Sequence, residues 1–317
     1  MRDYAVVRVP ASTSNLGAGF DCVGLAVDRW LTAAVAIDDD ESRRGITIDR
    51  SGTLAGLAVD PGDDYIVAGF RAACRAVGHP VPRGLHIRAY SDIPVARGLG
   101  SSGAAFVAGA AAANTLLDFE LDDRALVGIA SALEGHPDNA AAAVYGGAVL
   151  VLQPGEESGA DPVVHELPVH PSLTFVLAVP DFAVETRHAR KVLPSTISHR
   201  VAARAVARGV ALVQGLATGN SDLLRVGLDD VLHVPFRRSL VAGYDAVTHA
   251  ALQAGACGAT LSGSGSSIVA VTPGPRATAV AEAMAAAWTA LGVRAACFTN
   301  PARVARYAAT LDAPLSV

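Results

Sequence analysis

Aromatic side chains make up only 5% of the 317 residues, so alanine, valine and leucine must fill whatever core the chain builds. Charge is sparse as well, at 17%, against 51% hydrophobic residues, and a core of substantial size can be buried. Lys and Arg are outnumbered, with a net charge of −5. That argues against general affinity for nucleic acid, which relies on clustered basic residues. It leaves small anionic ligands open, since these need only local donors. The four cysteines, Cys22, Cys74, Cys257 and Cys297, lie far apart with no C-x-x-C. No zinc spacing or dense disulfide framework follows, and buried reduced thiols are expected. The start, MRDYAVVRVP, lacks a signal-peptide hydrophobic region. The most apolar run, Ala104–Ala113, stops at Asn114 and is too short to span a bilayer. A cytoplasmic protein without a membrane partner is expected.

What is present alternates between strand and helix signals. Tyr4–Val9 and Leu31–Ile37 read as strands, separated by a turn-rich stretch from Ala11 to Asp21. The acidic run 38–41 reads as a solvated hairpin loop, with Ile46–Arg50 pairing back. Tyr65–Val77 has helical spacing and a stop at Gly78 and Pro80. Leu85–Ala89 is strand-like, and a helix of Ala and Val follows the glycines near residue 100. Leu121–Leu133 reads as a second helix, closed by Gly135 and Pro137, before a strand at Ala148–Gln153. Pro154–Pro162, PGEESGADP, is the best linker. Beyond it, strands are expected at 173–179 and 293–299, helices at 199–216, 244–254 and 277–291, and a short helix at the end. This mixed order predicts an α+β fold.

Arg97-Gly-Leu-Gly-Ser-Ser-Gly103 matches the G-x-G-x-x-G of a dinucleotide-binding turn. That reading requires a strand ending in an acid about 20 residues further on. Asp118 and Glu120 fall in range, but Asn114–Leu121 looks like a turn between two helices. A phosphate site needs less: exposed N–H groups at a helix start, glycines that admit an anion, and the hydroxyls of Ser101 and Ser102. No G-x-x-x-x-G-K-[ST] is present, so this is not a P-loop. By itself the loop reads equally as a tight turn with helix-capping serines.

Glu134-Gly-His-Pro-Asp-Asn139 separates these readings. A helix over 102–116 would be roughly 22 Å long at about 1.5 Å per residue. A second helix over 121–134, joined by a short connection, would run antiparallel to it. Glu134 would then return to Ser102 and the phosphates. A carboxylate beside polyphosphate makes sense with Mg²⁺ between them, because Mg²⁺ takes one or two carboxylates plus phosphate oxygens.

Three segments now read together: Val9–Asp21 (VPASTSNLGAGFD), Pro94–Ala105 (PVARGLGSSGAA) and Leu261–Ser267 (LSGSGSS). Their order and spacing resemble the three motifs of the GHMP small-molecule kinases. The first motif, EGHPDN at 134–139, Thr186–Pro194 (TRHARKVLP) and Val234–Arg237 (VPFR) are most similar to the homoserine kinase branch. The resemblance implies two domains, 1–160 and 161–317: a ribosomal protein S5 domain 2-like nucleotide-binding half and a ferredoxin-like C-terminal half. It implies ATP and Mg²⁺, with transfer of the γ-phosphoryl group to the hydroxyl of L-homoserine, and a possible homodimer. By motif matching, Pro94, Arg97, Gly98, Leu99, Gly100, Ser101, Ser102 and Gly103 surround the nucleotide phosphates, with Ser102 and Glu134 at the metal. Asn15, Asp21, His136, Asn139, Thr186, Arg190 and Arg237 form the amino-acid side, with Asn15, Asp21 and Arg190 nearest the chemistry. One departure stands out: Ser266 replaces a proline usual in the third motif, which would loosen that loop.

The chemistry of these residues agrees with the resemblance. The substrate carboxylate wants a guanidinium fork, which Arg190 or Arg237 can supply. Its ammonium wants an oxygen, which Asp21 and Asn15 offer. Phosphoryl transfer has a loose transition state, so positioning and charge neutralisation matter more than a strong base. Asp21 accordingly reads as substrate-orienting. Two other readings stay open: a GHMP kinase for a different alcohol, and a silent sensor on the same fold.

Overall fold

The computed structural model describes residues 4–38, 45–153 and 162–312. The 154–161 part of the expected linker and residues 39–41 of the acidic turn lie outside them. Asp38 is described; it is buried and bonded to His86 Nε2 at 2.8 Å rather than solvated.

Strand β1 (Tyr4–Ser14) buries Ala5, Val7, Val9 and Ala11, the period of two expected when one face meets a core. It pairs antiparallel with β2 (Val23–Ile37), with a register shift at Pro10/Ala11. Residues 11–14 therefore belong to the ladder, and the turn occupies only 15–22. Strand β3 (Gly45–Gly52) does not form the expected hairpin with β2. It lies parallel to β4 (Gly84–Ser91), which sits between it and β2. A parallel pair needs a crossover, and α1 (Tyr65–Ala76) supplies it.

Next come α2 (Ser101–Leu116), α3 (Asp123–Glu134) and α4 (Asp138–Tyr145). Asp122 caps α3 through Ala125 N, and Gly135 ends it in the left-handed region at φ 88°. Helices α3 and α4, not a strand, directly follow α2, which removes the dinucleotide-binding reading. Helix α4 was hidden in the sequence by Pro137, which reads as a stop but stands immediately before the first turn. Strands β5 (Ala148–Leu152) and β6 (Val163–Leu167) extend the sheet from β2.

Strand β7 (Leu173–Pro180) leads into α5 (Thr186–Lys191), α6 (His199–Thr218), α7 (Ser221–Leu228), α8 (Val234–Arg237) and α9 (Tyr244–Gln253). Strands β8 (Gly258–Leu261) and β9 (Ile268–Pro273), helix α10 (Ala277–Ala290) and β10 (Ala295–Asn300) complete a four-stranded antiparallel sheet, β10-β7-β9-β8. Among the described residues the expected terminal helix is absent. Residues 308–312 form β11, which pairs with the open edge of β1 and completes the seven-stranded first sheet. The chain is α+β, as its sequence predicts.

Strand β7 explains an apolar run without alternation. Phe175 and Leu177 face the core shared with the first sheet, while Val176 and Ala178 face α9 and α10. Helix α2 is apolar all round because it is buried between the first sheet and α1. Its crossing with α1 is close enough that a Cβ on Gly109 would stand 1.8 Å from the Ile66 carbonyl oxygen and 2.7 Å from Phe70 N. Gly109→Ala should cost about 3 kcal/mol or more, read as a large fall in Tm by thermal unfolding.

Candidate active site

The doubled-back helix pair is present. Helix α3 returns to the start of α2, and Ser102 Oγ donates to Glu134 Oε1 at 2.5 Å. A Cβ on Gly103 would lie 2.8 Å from Glu134 Oε2, so a larger residue there would push that carboxylate from its place. Oε2 is enclosed and has no hydrogen-bond partner. Burial raises the Glu134 carboxyl above its ordinary value of 4.5, against the opposing pull of His136 and Ser102. An enclosed, half-satisfied carboxylate beside a hydroxyl at a helix N-terminus offers hard oxygen donors suited to Mg²⁺. One carboxylate is too few for an all-protein cage, which is how a site shared with phosphate oxygens is built. Among the described residues no group of three or more His, Cys, Asp or Glu could hold an ion without such help.

The loop ahead of α2 is shaped by backbone packing. Gly98 and Gly100 take φ of 74° and 63°, and Gly100 is the N-cap of α2 without a side-chain cap. The first N–H groups of the helix are thus left for a ligand. A Cβ on Gly98 would meet Ser262 O at 2.1 Å, and one on Gly100 would meet Ser12 Oγ at 2.1 Å. Ser262 and Ser267 donate their hydroxyls to Gly98 O and Arg97 O at 2.6 and 2.5 Å. Ser12 donates to Asn139 Oδ1 at 3.0 Å. The first and third glycine motifs thus frame the second. These serines lie within the motifs, but nothing in the sequence assigns them a task.

One cleft joins most of the expected residues. Gly98, Leu99, Gly100, Ser101 and Ser102 line one end, with Glu134. Asn15, His136, Asn139, Thr186, Arg190 and Arg237 line the rest. Four expected residues sit off its walls. Gly103 stands behind Glu134, and Pro94 lies before the loop. Arg97 turns away from the cleft, donating to Pro180 O at 3.1 Å and Asp181 O at 2.9 Å. Asp21 is engaged by Arg190, with contacts of 2.9 and 3.1 Å from the two guanidinium nitrogens.

The amino-acid side is equally defined. Asn15 and Asp21 both adopt left-handed backbone, φ 56° and 54°, which Asn and Asp tolerate better than most residues. Asp21 N donates to Asn15 Oδ1 at 2.8 Å, closing the turn. His136 Nδ1 lies 2.7 Å from the buried Asp138 Oδ1. Burial pulls the imidazole down, but the hydrogen bond and charge of Asp138 outweigh it and leave His136 raised above 6.5. Asp138 thus favours the protonated form of the ring and fixes its orientation through Nδ1. Arg237 is 1% exposed and donates through Nε to Ala189 O at 2.9 Å. Burial, then the charge of Arg190, lower it to about 10. Thr186 Oγ1 lies 3.2 Å from Ser264 Oγ, linking α5 to the third motif. Asp138 and His233 escaped the sequence reading. Asp138 lay inside a quoted motif, whereas nothing around His233 distinguished it.

Ser266 does not loosen its loop. It is fully buried and donates to Phe182 O at 2.5 Å, an anchor that proline could not provide. Ser266→Ala should destabilise by roughly 1–3 kcal/mol, the cost of a buried acceptor left unpaired, measured by chemical denaturation. The four cysteines are free, Cys74 and Cys257 buried and the others half-buried. Burial pushes Cys22 and Cys297 up to about 11, as inert thiols require. No helix among the described residues is long and apolar enough to cross a membrane.

Comparison with known proteins agrees with this geometry. Residues 64–147 match the family of GHMP kinases N terminal domains, and residues 211–290 that of GHMP kinases C terminal domains. A homoserine kinase from Synechococcus sp. is 38% identical over 291 residues, covering 90% of this chain and 92% of that one. One from Moorella thermoacetica is 39% identical over 289 residues, covering 91% and 94%. The crystal structure of homoserine kinase from Cytophaga hutchinsonii superposes with a TM-score of 0.85 at 30% identity, covering 98% of both chains. Matched along nearly its whole length by such relatives, the chain belongs to the GHMP kinases and, within them, to the homoserine kinase family.

Proposed function

We propose that the protein is an ATP-dependent small-molecule kinase that transfers the γ-phosphoryl group of ATP to the side-chain hydroxyl of L-homoserine, giving O-phospho-L-homoserine for threonine biosynthesis. The observation that carries the reading is one cleft with two chemically different ends. The glycine loop, Ser102 and the enclosed Glu134 carboxylate form one end. Arg190, Arg237 and His136, with Asp21 held by Arg190, form the other. Anionic phosphates suit the first, and a zwitterionic amino acid suits the second.

Ser102 and Glu134 would hold Mg²⁺ together with the nucleotide. When bound, the ion would supply neutralisation of the phosphate charge. The N–H groups of residues 98–103 bind phosphate oxygens and fix the nucleotide end. Arg190 and Arg237 bind the substrate carboxylate, while Asp21 and Asn15 orient its ammonium. His136, its Nδ1 held by Asp138, is assigned to orient the acceptor side rather than to take a proton. Asp21 is neutralised by Arg190. With no side chain in the role of strong base, the hydroxyl proton passes to the transferred phosphoryl group, which a loose transition state tolerates.

The same reading divides the chain near residue 160. The first part carries the glycine cradle and Glu134, and the second brings Thr186, Arg190 and Arg237 across the cleft. It also includes a cytoplasmic location, in keeping with the unpaired cysteines, and assembly as a homodimer, which light scattering tests. The enzymatic test is ADP release with Mg-ATP against homoserine, threonine, serine, mevalonate and galactose. Strong preference for homoserine is expected. Turnover confined to a non-amino-acid alcohol would overturn the substrate, and ligand binding without ADP release would point to a sensor.

A further inference from the structure

Behind the acceptor end of the cleft lies a buried histidine that does not line it. His233, at the N-cap of α8, is 0% exposed. Its Nδ1 lies 3.4 Å from Arg237 Nη1, and its Nε2 lies 3.3 Å from the Gly17 carbonyl oxygen. Arginine can only donate, so Nδ1 must accept, and the ring proton sits on Nε2, where Gly17 O receives it. The two contacts thus require one tautomer. Its ring stacks on Phe20 at 5.1 Å and 21°, and the Arg237 guanidinium stands 5.2 Å from the same Phe20 ring.

These contacts tie together the three pieces that carry the acceptor residues. Gly17 belongs to the 15–22 turn, which presents Asn15 and Asp21. Arg237 belongs to α8. Through its Nε bond to Ala189 O, Arg237 also holds α5 beside Arg190. Asp230 faces the ring as well, at 3.8 Å from Nε2. Its Oδ2 already accepts N–H bonds from Leu232, His233 and Val234. It is thereby occupied by the backbone leading into α8 and is a weak competitor for the imidazole proton. Burial, with the charge of Arg237, depresses His233 below 6.5 against the pull of Asp230 and Asp21.

We propose that His233 is a positioning residue for the phosphoryl acceptor: as the Nε2–H tautomer it aims Arg237 and clamps the 15–22 turn, setting affinity for the amino-acid substrate without touching it. A second proton on Nδ1 would face the guanidinium donor-to-donor and break the arrangement. The glycine cradle and Glu134 lie on other elements, so the nucleotide end should not sense the change. The proposal rests on an amino acid occupying the Arg190–Arg237 end.

The test combines ¹⁵N NMR of the imidazole in the full-length protein with the kinetics of two variants. Wild type should show His233 as the neutral Nε2–H tautomer at neutral pH. His233→Asn can keep an acceptor near the Nδ1 position, while His233→Gln places its amide near Nε2 and loses it. His233→Gln should raise KM for homoserine at least about tenfold (~1.4 kcal/mol), with KM for ATP within about twofold and kcat little changed. His233→Asn should recover most of the loss. An Nδ1–H or charged ring, equal changes in both KM values, or no advantage of Asn over Gln would overturn the proposal. If wild type ignored homoserine, the substrate assignment would fall, and the tautomer readout, which needs no folded variant, would still decide the role of the histidine.

Discussion

Glu134→Gln is expected to lower Mg-ATP-dependent turnover at least about tenfold, ~1.4 kcal/mol in the barrier, while making the ligand-free protein more stable. The first effect follows from removing the carboxylate that reaches the glycine cradle beside Ser102. An amide keeps the shape and can still accept from Ser102, but it offers Mg²⁺ no charge. The second effect follows from linkage. Burial raises the Glu134 carboxyl above 4.5. A group raised in the folded state contributes stability that is fully present below its unfolded value and is lost as pH rises through its folded value. At pH 7, above the unfolded value, the raised carboxyl therefore makes the wild-type fold less stable, a cost that glutamine removes. The gain in Tm over wild type should be present at pH 7 and shrink towards pH 4.5. Opposite signs in turnover and stability, from steady-state assays and calorimetry on the same preparation, separate a metal-site role from a structural one. Near-normal turnover at saturating Mg²⁺ would take Glu134 out of the metal site.

Arg190→Lys is expected to reduce kcat/KM for homoserine about 100-fold, ~2.7 kcal/mol, with KM for ATP changed less than about twofold. The charge is conserved, so the loss would come from geometry. The guanidinium holds both Asp21 oxygens through two nitrogens, and a lysine ammonium cannot reproduce that planar fork. Asp21 would lose its orientation, and the substrate carboxylate would lose a bidentate partner. Arg190 and Asp21 are partly exposed, at 36% and 26% of their side chains. As a surface ion pair alone they would contribute about 1 kcal/mol or less to stability. A variant with wild-type Tm but strongly reduced kcat/KM is the expected outcome of initial-rate kinetics with each substrate varied in turn.

The parts of this site legible in the sequence were those with local causes. Gly98, Gly100 and Gly103 announce backbone that side chains would block, and the structure shows the blocking atoms. The return of Glu134 to Ser102 followed from two helices of similar length and a short turn. Longer-range facts were not legible. Strand β3 was expected to pair with β2, because neighbours in sequence commonly do, yet β4 enters between them and only the crossover through α1 explains it. The end of the chain looked helical, but the open edge of β1 recruits residues 308–312 as a strand. Arg97 looked like a phosphate ligand from its place beside the glycines. Its guanidinium is held by the carbonyls at the end of β7, 83 and 84 positions away in sequence. Ser266 looked like a weakened motif until Phe182 supplied its partner. In each case the deciding partner lies far along the chain, where no local pattern can name it.

The most direct measurement of the central claim is ³¹P NMR of ATP, Mg²⁺ and L-homoserine with the purified protein. The γ-phosphorus signal should give way to ADP and to a phosphomonoester resonance split by the two protons of the homoserine CH₂–O group. Accumulation of inorganic phosphate alone, or an unchanged ATP spectrum, would contradict transfer to the substrate hydroxyl.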